Sequence, residues 1–464
     1  MTHKKSIHFE VSERKILLRL IDLLAIFLGI RLLAIVFSYE YLILNKQHTL
    51  HVVVLGIYIT IVHTIFELYD LQKASKLDST AKNLIVSSFF VALFYLSTPY
   101  VTPVLPEQRT FIVYFYLTLC IPVLLWRVCY IQFIESPRFY KKVLLIADIG
   151  NVDSLVKTIQ RSDPNYKIVG FLNSEPSKKD AIKYKGLIEF QFDTIEQVIL
   201  NNDISEIIVA RFNDNEMMSQ VYENLILLVE QGYKVRDYTQ VYEELLKKVP
   251  LQFVGDDFYK YLPYSRNNEN KLYRFIRRVS DIIFSIIGLM IMICILPIVV
   301  LGNIFANKGP LFYKQKRIGK NGVPFKIFKL RTMVVHAEYN GAKWADKNDK
   351  RVTPFGRFLR NSRLDEIPQF WNILKGEMNI IGPRPERPFF VNQLSETVPF
   401  YEIRHIIKPG LTGWAQVNAR YGSSIDDSTD KLQYDLYYIK HRGLFIDLNI
   451  FIKTFSTIIY YRGR

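Results

Sequence analysis

Residues Val279 to Phe305 read VSDIIFSIIGLMIMICILPIVVLGNIF, an apolar run whose one charged residue is Asp281. At about 1.5 Å of rise per residue it is long enough to cross a bilayer as a helix. Two features point away from a simple crossing. Pro297 removes a backbone donor and crowds the preceding turn, which predicts a bend near Ile293–Leu296. Basic residues also flank both ends: Arg266, Lys271, Arg274, Arg277 and Arg278 before the run, then Lys308, Lys314, Lys316, Arg317 and Lys320 after it. A crossing helix would leave one cluster on the face that cations avoid. The expected element is a broken helix that enters and leaves on the cytoplasmic face.

Upstream lie four further stretches of spanning length, Ile16–Tyr39, Leu50–Tyr69, Leu84–Val101 and Phe111–Ile134. Lys4, Lys5, Arg14 and Lys15 precede the first, Lys73, Lys76 and Lys82 separate the second from the third, and Arg138, Lys141 and Lys142 follow the fourth. The alternate loops carry only Lys46 and Arg109. That bias predicts a four-helix unit with both ends in the cytoplasm. Residues Met1 to Glu13 are polar and no small-residue cleavage site follows the first run, so it reads as an anchor. Arg19, Asp22 and Arg31 fall in or near the first span, where ionisable side chains face partner helices or snorkel to the interface.

Between the membrane segments, Val143–Ala147, Ile168–Leu172 and Ile207–Ala210 read as buried strands and Val152–Gln160 and Met217–Gln231 as helices, a βα alternation. The turn Asp148-Ile149-Gly150-Asn151 has one glycine where a dinucleotide fingerprint needs three, so the segment reads as a structural or regulatory module that binds no dinucleotide.

The chain has 60 Lys and Arg against 44 Asp and Glu. From Arg266 onward the numbers are 32 and 16, while the preceding residues balance at 28 of each. A basic part joined to membrane segments favours anionic partners such as lipid headgroups, phosphorylated lipids and nucleotides. No helix-turn-helix or zinc-finger pattern supports nucleic acid as a partner. Cys120, Cys129 and Cys294 lie in apolar runs without metal-ligand spacing, which excludes a disulfide framework.

After the Val279–Phe305 run, Leu311–Ile318 and Val323–Thr332 flank Gly319-Lys320-Asn321-Gly322, a hairpin closed by an Asn-Gly turn. Its strands interleave Lys314, Lys316, Arg317, Lys326, Lys329 and Arg331 with Phe312, Tyr313, Phe325 and Phe328. One face is free to pack while the other offers cations to phosphates or the membrane; a solvated basic edge is the plainer reading. In Arg360-Asn361-Ser362-Arg363-Leu364-Asp365-Glu366-Ile367-Pro368-Gln369, Pro368 suits the first position of a helix that continues to Lys375 and stops at Gly376. Asp365 and Glu366 then sit just before a helix N-terminus, with Arg360 and Arg363 nearby. Carboxylates there commonly do no more than complement the helix dipole. With these cations they also form a place where an ionised Asp can attack phosphorus and a Glu can hold a divalent metal. Gly382-Pro383-Arg384-Pro385-Glu386-Arg387-Pro388 follows, a rigid loop whose Arg384 matches phosphate oxygens, and then Lys408-Pro409-Gly410-Leu411-Thr412-Gly413-Trp414-Ala415-Gln416-Val417-Asn418.

The motifs Lys329-Leu330-Arg331-Thr332-Met333, Arg363–Gln369, Asn372-Ile373-Leu374-Lys375-Gly376-Glu377-Met378, Gly382–Pro385 and Pro409-Gly410-Leu411-Thr412-Gly413-Trp414 occur in the order that resembles the bacterial sugar transferases, the monotopic phosphoglycosyl transferases. The resemblance covers about Asn270 to Tyr461, and the upstream spans and βα module resemble the large branch of that family. It implies transfer of a sugar 1-phosphate from a UDP-sugar, with glucose or galactose as the sugar suggested by the branch, to undecaprenyl phosphate. UMP is released, and this is the first membrane step of exopolysaccharide, capsule or O-antigen synthesis. By position it implies Asp365 as nucleophile, Glu366 as its partner associated with Mg²⁺, Arg360 and Arg384 as phosphate-binding, Lys329 and Arg331 on a basic strand at the site, and Asp435 as a further acid. Many members place Ser before the helix-breaking proline, where this chain has Leu296-Pro297.

The expected fold is therefore a membrane protein of the α/β class. A four-helix transmembrane unit (1–136) and a Rossmann-like module (137–262) precede a mainly helical catalytic domain (263–464) with a re-entrant helix at 279–305 and a short hairpin. The expected location is the inner membrane, multi-pass, with the catalytic domain cytoplasmic and in contact with membrane lipids, and a homo-oligomer is compatible with it. A non-catalytic scaffold or regulator is the rival, opposed by the intact Asp365-Glu366 pair. A Rossmann oxidoreductase or epimerase is opposed by the missing glycines.

Overall fold

In the computed structural model, residues 11–459 are described except 38–48, 104, 107, 134–139, 148, 164, 174–186, 191–194, 211–222, 224, 252–269, 308, 336, 338, 340–348, 420–421 and 423. Arg266, Lys308 and most of the first half of the Met217–Gln231 helix thus lie outside the described residues. The chain divides into two compact units, Met1–Leu246 and Lys247–Arg464.

The first unit begins with four long helices, α1 (Val11–Phe37), α2 (Thr49–Ile65), α3 (Leu77–Leu96) and α4 (Thr110–Phe133). By length and composition α3 and α4 suffice to cross a membrane, as does one helix of the second unit; α2 is apolar but shorter. The third helix starts earlier than its apolar stretch because Asp78 stands in a polar first turn, where it complements the helix dipole. Of the charges of α1, Arg14 and Asp22 are buried, Arg19 is half-buried, and Glu13 and Arg31 are exposed. Asp22 and Arg127 of α4 form an ion pair of 2.7 Å with both side chains fully buried, and Arg19 lies over the Tyr69 ring. Near the start of α1, Arg14 pairs with Asp163 of the βα part of the same unit.

That βα part has strands β1 (Lys141–Ala147), β2 (Tyr166–Asn173), β3 (Ile188–Phe190), β4 (Glu206–Val209) and β5 (Lys234–Asp237), all parallel in the order β3-β2-β1-β4-β5. Helices α5 (Ile149–Ser162), α6 (Ile195–Asn202) and α7 (Tyr238–Leu246) accompany them. Leu144, Ile146 and Leu172 pack against Ile195, Val198 and Ile199, the continuous apolar strand pattern of a sheet that is buried on its faces.

The second unit opens with α8 (Lys271–Ala306), one helix that continues through Pro297. Strands β6 (Phe312–Ile318) and β7 (Pro324–Leu330) form the antiparallel hairpin. Asn321 at φ +55 and Gly322 at φ +76 close it, the two positive φ values that an Asn-Gly turn supplies at little cost. Then come α9 (Pro354–Asn361), α10 (Gln369–Lys375), β8 (Asn379–Ile381), α11 (Pro388–Thr397), β9 (Gly410–Thr412), α12 (Ile425–His441) and α13 (Leu444–Ile459). Pro368 caps α10 rather than beginning it, and Gly376 at φ +84 ends it in the left-handed conformation that favours glycine. Both halves of α8 pack within this unit. Arg278 donates to the carbonyls of Ile373 (2.8 Å) and Leu374 (2.7 Å) at the end of α10, Phe370 fits against Gly288, and Val299 packs with Leu330 and Leu359. A Cβ on Gly288 would stand 2.3 Å from the Phe370 ring, so that approach requires glycine. Cys120, Cys129 and Cys294 are free thiols.

Candidate active site

Three local structures converge on Glu366. A 3-10 turn over Leu364–Glu366 precedes α10, entered through Arg363 at φ +59, a left-handed conformation uncommon for a residue with a side chain. It holds Asp365 and Glu366 in the interior, 7% and 8% exposed. The second structure is β7, whose alternation brings Lys329 to the acids while Ile327 packs beneath it with Ile373 and Met378. Asn372 fixes the strand to α10, accepting from the Phe328 amide at 3.1 Å and donating to the Lys326 carbonyl at 2.7 Å. The third is the Gly382–Pro385 loop, pressed against the Pro409–Gly413 segment. The Gly382 amide donates to Thr412 at 2.8 Å and the Gly410 amide to Pro383 at 2.9 Å. A Cβ on Gly410 would lie 2.1 Å from the Gly382 nitrogen, so these two glycine-proline motifs need each other.

Glu366 Oε1 accepts from Lys329 Nζ at 2.9 Å and from an Arg384 guanidinium nitrogen at 2.7 Å, and Arg363 stands 3.8 Å from its other oxygen. Burial opposes ionisation, but Arg384, Lys329 and Arg363 outweigh it and hold the carboxyl well below the usual carboxylate range. Burial pulls the Lys329 ammonium below its ordinary value against the attraction of Glu366. Asp365 is treated differently: no hydrogen bond or ion pair reaches its carboxylate among the described residues. Burial, aided by the Glu366 charge, pushes it up to about 6 against Lys329, Arg360 and Arg363.

Of the residues singled out from the sequence, Asp365, Glu366, Lys329 and Arg384 are thus brought together. Arg360 stands at one side, within electrostatic reach of Asp365 and donating to Thr332 Oγ1 at 2.9 Å. Arg331 points elsewhere: its guanidinium serves the Pro310 carbonyl at 2.6 Å, Met333 at 3.0 Å, and Asn303 and Asn307 around the end of α8. Asp435 lies behind the site, fully buried, where it accepts from Arg404 at 2.9 Å; the same guanidinium donates to the Arg384 carbonyl at 2.9 Å. Burial pushes the Asp435 carboxyl up to about 6 against that arginine. Pro297 belongs to α8 and takes no part in this cluster.

Asn372 lies inside a recognised motif without an individual role read from the sequence, and Arg317, read there as one of the hairpin's cations for phosphates or the membrane, instead steadies the loop through the Pro385 carbonyl at 3.2 Å. Besides its neighbour Tyr401, Arg404 serves Arg384 and Asp435, 20 and 31 residues away, and no local signal points to those two. Among the described residues no group of three or more His, Cys, Asp or Glu is arranged to hold a metal. Two adjacent carboxylates, one without a cation of its own, fit a magnesium ion that takes its other ligands from substrate phosphate and water.

A family model described as bacterial sugar transferase matches residues 272–461. The chain is 41% identical over 188 residues to the UDP-N-acetylgalactosamine-undecaprenyl-phosphate N-acetylgalactosaminephosphotransferase of Aeromonas hydrophila, covering 40% of this chain and 44% of that protein. It is 33% identical over 185 residues to the UDP-glucose:undecaprenyl-phosphate glucose-1-phosphate transferase of Caulobacter vibrioides, covering 39% of this chain and 69% of the relative. The galactosyl transferase CpsE of Streptococcus agalactiae is 28% identical over 343 residues, 68% of this chain and 72% of that one. The chain spans less than half the length of several of the relatives that it matches, the Aeromonas protein among them.

Proposed function

The chain belongs to the bacterial sugar transferase family, and from that premise we propose that it transfers a hexose 1-phosphate from a UDP-sugar to undecaprenyl phosphate, releasing UMP. Glucose or galactose is the proposed sugar, and the product would begin a repeat unit of an exopolysaccharide, capsule or O-antigen. The enzyme would reside in the inner membrane, with the catalytic unit on the cytoplasmic face and α8 entering and leaving on that side.

The observation that carries the mechanism is the contrast between the two acids. Glu366 is already committed to Lys329 and Arg384, whereas among the described residues no donor reaches the Asp365 carboxylate, which leaves it free to act on a substrate. An Asp365 oxygen attacks the phosphorus next to the sugar, a P–O bond to aspartate forms, and the anhydride bond to UMP breaks. A phosphate oxygen of undecaprenyl phosphate then attacks the same phosphorus and returns Asp365 as a carboxylate. Arg384 and Lys329, held beside the proposed nucleophile by Glu366, would meet the donor's charged oxygens, and Arg360 would flank the nucleophile. Magnesium would be held by Glu366 with the diphosphate, and when bound it would offset the repulsion between the Asp365 carboxylate and the diphosphate.

The test is to incubate the purified chain with UDP-sugars labelled in the β-phosphate and the sugar, and to measure UMP release with and without undecaprenyl phosphate. Wild type should trap label on the protein in the absence of the lipid and show parallel double-reciprocal lines in its presence. Asp365→Asn should lose both trapping and turnover, by a factor of at least ~10³, since it keeps the shape and removes the nucleophile. Substantial turnover by Asp365→Asn, or intersecting lines for wild type, would defeat the covalent route.

A further inference from the structure

The β6–β7 register sorts the hairpin's cations onto two faces. Lys329 and Arg317 occupy the face that meets Glu366 and the Pro385–Glu386 loop. On the other face Lys314 stands opposite Phe328 and Lys316 directly opposite Lys326. Lys375 of α10 joins this second set, its ammonium 5.8 Å from the Phe328 ring centre and 5.5 Å from that of Trp371, while Lys314 lies 5.2 Å from Phe328. All four lysines are exposed, and none is paired with an acid among the described residues. Lysines facing each other across a hairpin repel, and among the described residues no acid offsets that repulsion.

The neighbours of this face indicate what covers it. At its far end Leu330 packs on Val299 of α8 and Leu359 of α9. Trp371, beside Lys375, is 45% exposed, and on α8 Ile287, Met290 and Ile291 next to the Gly288–Phe370 contact are exposed apolar residues. Lysine and tryptophan at the edge of a large exposed apolar surface are the arrangement found where protein meets lipid headgroups.

We propose that Lys314, Lys316, Lys326 and Lys375 form a docking face for the anionic phospholipid headgroups of the bilayer, with Phe328 and Trp371 at the boundary of the acyl region. The face presses the hairpin onto the membrane from the side opposite Asp365 and Glu366, and so sets the height of the site above the lipid. The proposal rests on α8 being embedded in the membrane and does not depend on the transfer reaction.

The test is lysine acetylation of the full chain in phosphatidylcholine nanodiscs with and without phosphatidylglycerol, read residue by residue by mass spectrometry. Labelling of the four lysines should slow about fivefold in the anionic discs, the factor expected for one cation near such a surface, while exposed Lys157 is unaffected. High salt should remove the protection. The variant K316Q/K326Q, altered at two exposed positions, should retain trapping of the labelled donor but lose protection at Lys314 and Lys375, which separates a failed docking face from a failed fold or a failed reaction. Equal labelling in the two discs, or equal protection in neutral lipid, overturns the proposal. Protection that requires a soluble polyanion instead of phosphatidylglycerol also overturns it, in favour of a polymer.

Discussion

Asp365 and Glu366 are neighbours in the chain, yet the surroundings drive their carboxyls in opposite directions, one to about 6 and the other well below its usual range. Pairs pushed apart in this way mark candidate functional sites. A consequence follows for pH. The proposed nucleophile must be ionised, so the rate of label trapping should fall about tenfold per pH unit below ~6 and level off above it, while Glu366 stays charged throughout. A pH profile of single-turnover trapping checks this; a rate that is flat from pH 5 to 7 counts against Asp365 as the attacking group. The stability effect has the opposite sign. The folded Asp365 binds its proton more tightly than the unfolded one, so its burial costs stability at neutral pH, and that cost fades as pH falls through about 6. At this scale the acids, Lys329 and Arg384 were legible because local rules aim them: a helix start, a strand alternation, a proline-fixed loop. Arg331 was not, because β7 ends at Leu330 and the period of two no longer sets its direction. For Asp435 the resemblance implied a further acid of the site; its pairing with Arg404 is a contact that only tertiary folding creates.

Among the elements, the hairpin and α10 follow from turn chemistry that a sequence displays openly, Asn321-Gly322 and Gly376. The central strands β1, β2 and β4 were equally plain as apolar runs. The edge strands β3 and β5 were not, since they span 3 and 4 residues and carry polar side chains. In the helical part the apolar runs were visible, while the partner of Asp22 was hidden: Arg127 lies 105 residues away on α4. Removing one member of a fully buried pair strands the other charge. Asp22→Ala should therefore destabilise the first unit by about 3–5 kcal/mol, whereas Asp22→Ala combined with Arg127→Leu should recover much of the loss. Thermal unfolding in detergent is the measurement, and an unchanged midpoint in the single variant would mean that the pair contributes nothing to the packing of α1 on α4.

For the whole molecule, the excess of cations lies in the same unit as the candidate site and α8. A straight helix of the length of Lys271–Ala306 would extend about 54 Å. Its early turns are tied to α10 through Arg278, and Asp281 accepts from the Ile380 amide at 2.9 Å. Its late turns pack on Leu330, Leu359 and Phe355, with Asn303 donating to the Gly309 carbonyl at 2.9 Å. Elements of the same unit thus hold both ends, and these contacts are what support the proposal that α8 enters and leaves on one side of the bilayer. Pro297, between these two sets of contacts, is the position at which such a helix bends most readily. Cysteines introduced at Asn270 and Lys308 in an otherwise cysteine-free chain should both resist a membrane-impermeant thiol reagent in whole cells and both react once the membrane is opened. Periplasmic labelling at position 308 with protection at 270 would make α8 a crossing helix, and the catalytic contacts on its far half would then need another explanation. Pro297→Ala gives the complementary reading. The expected break at Pro297 is absent from α8, which runs as one helix through it; if the proline nevertheless favours the re-entrant path, its loss should raise labelling at 308 from outside, and unchanged low labelling would mean that the contacts of Val299 and Gly302 suffice.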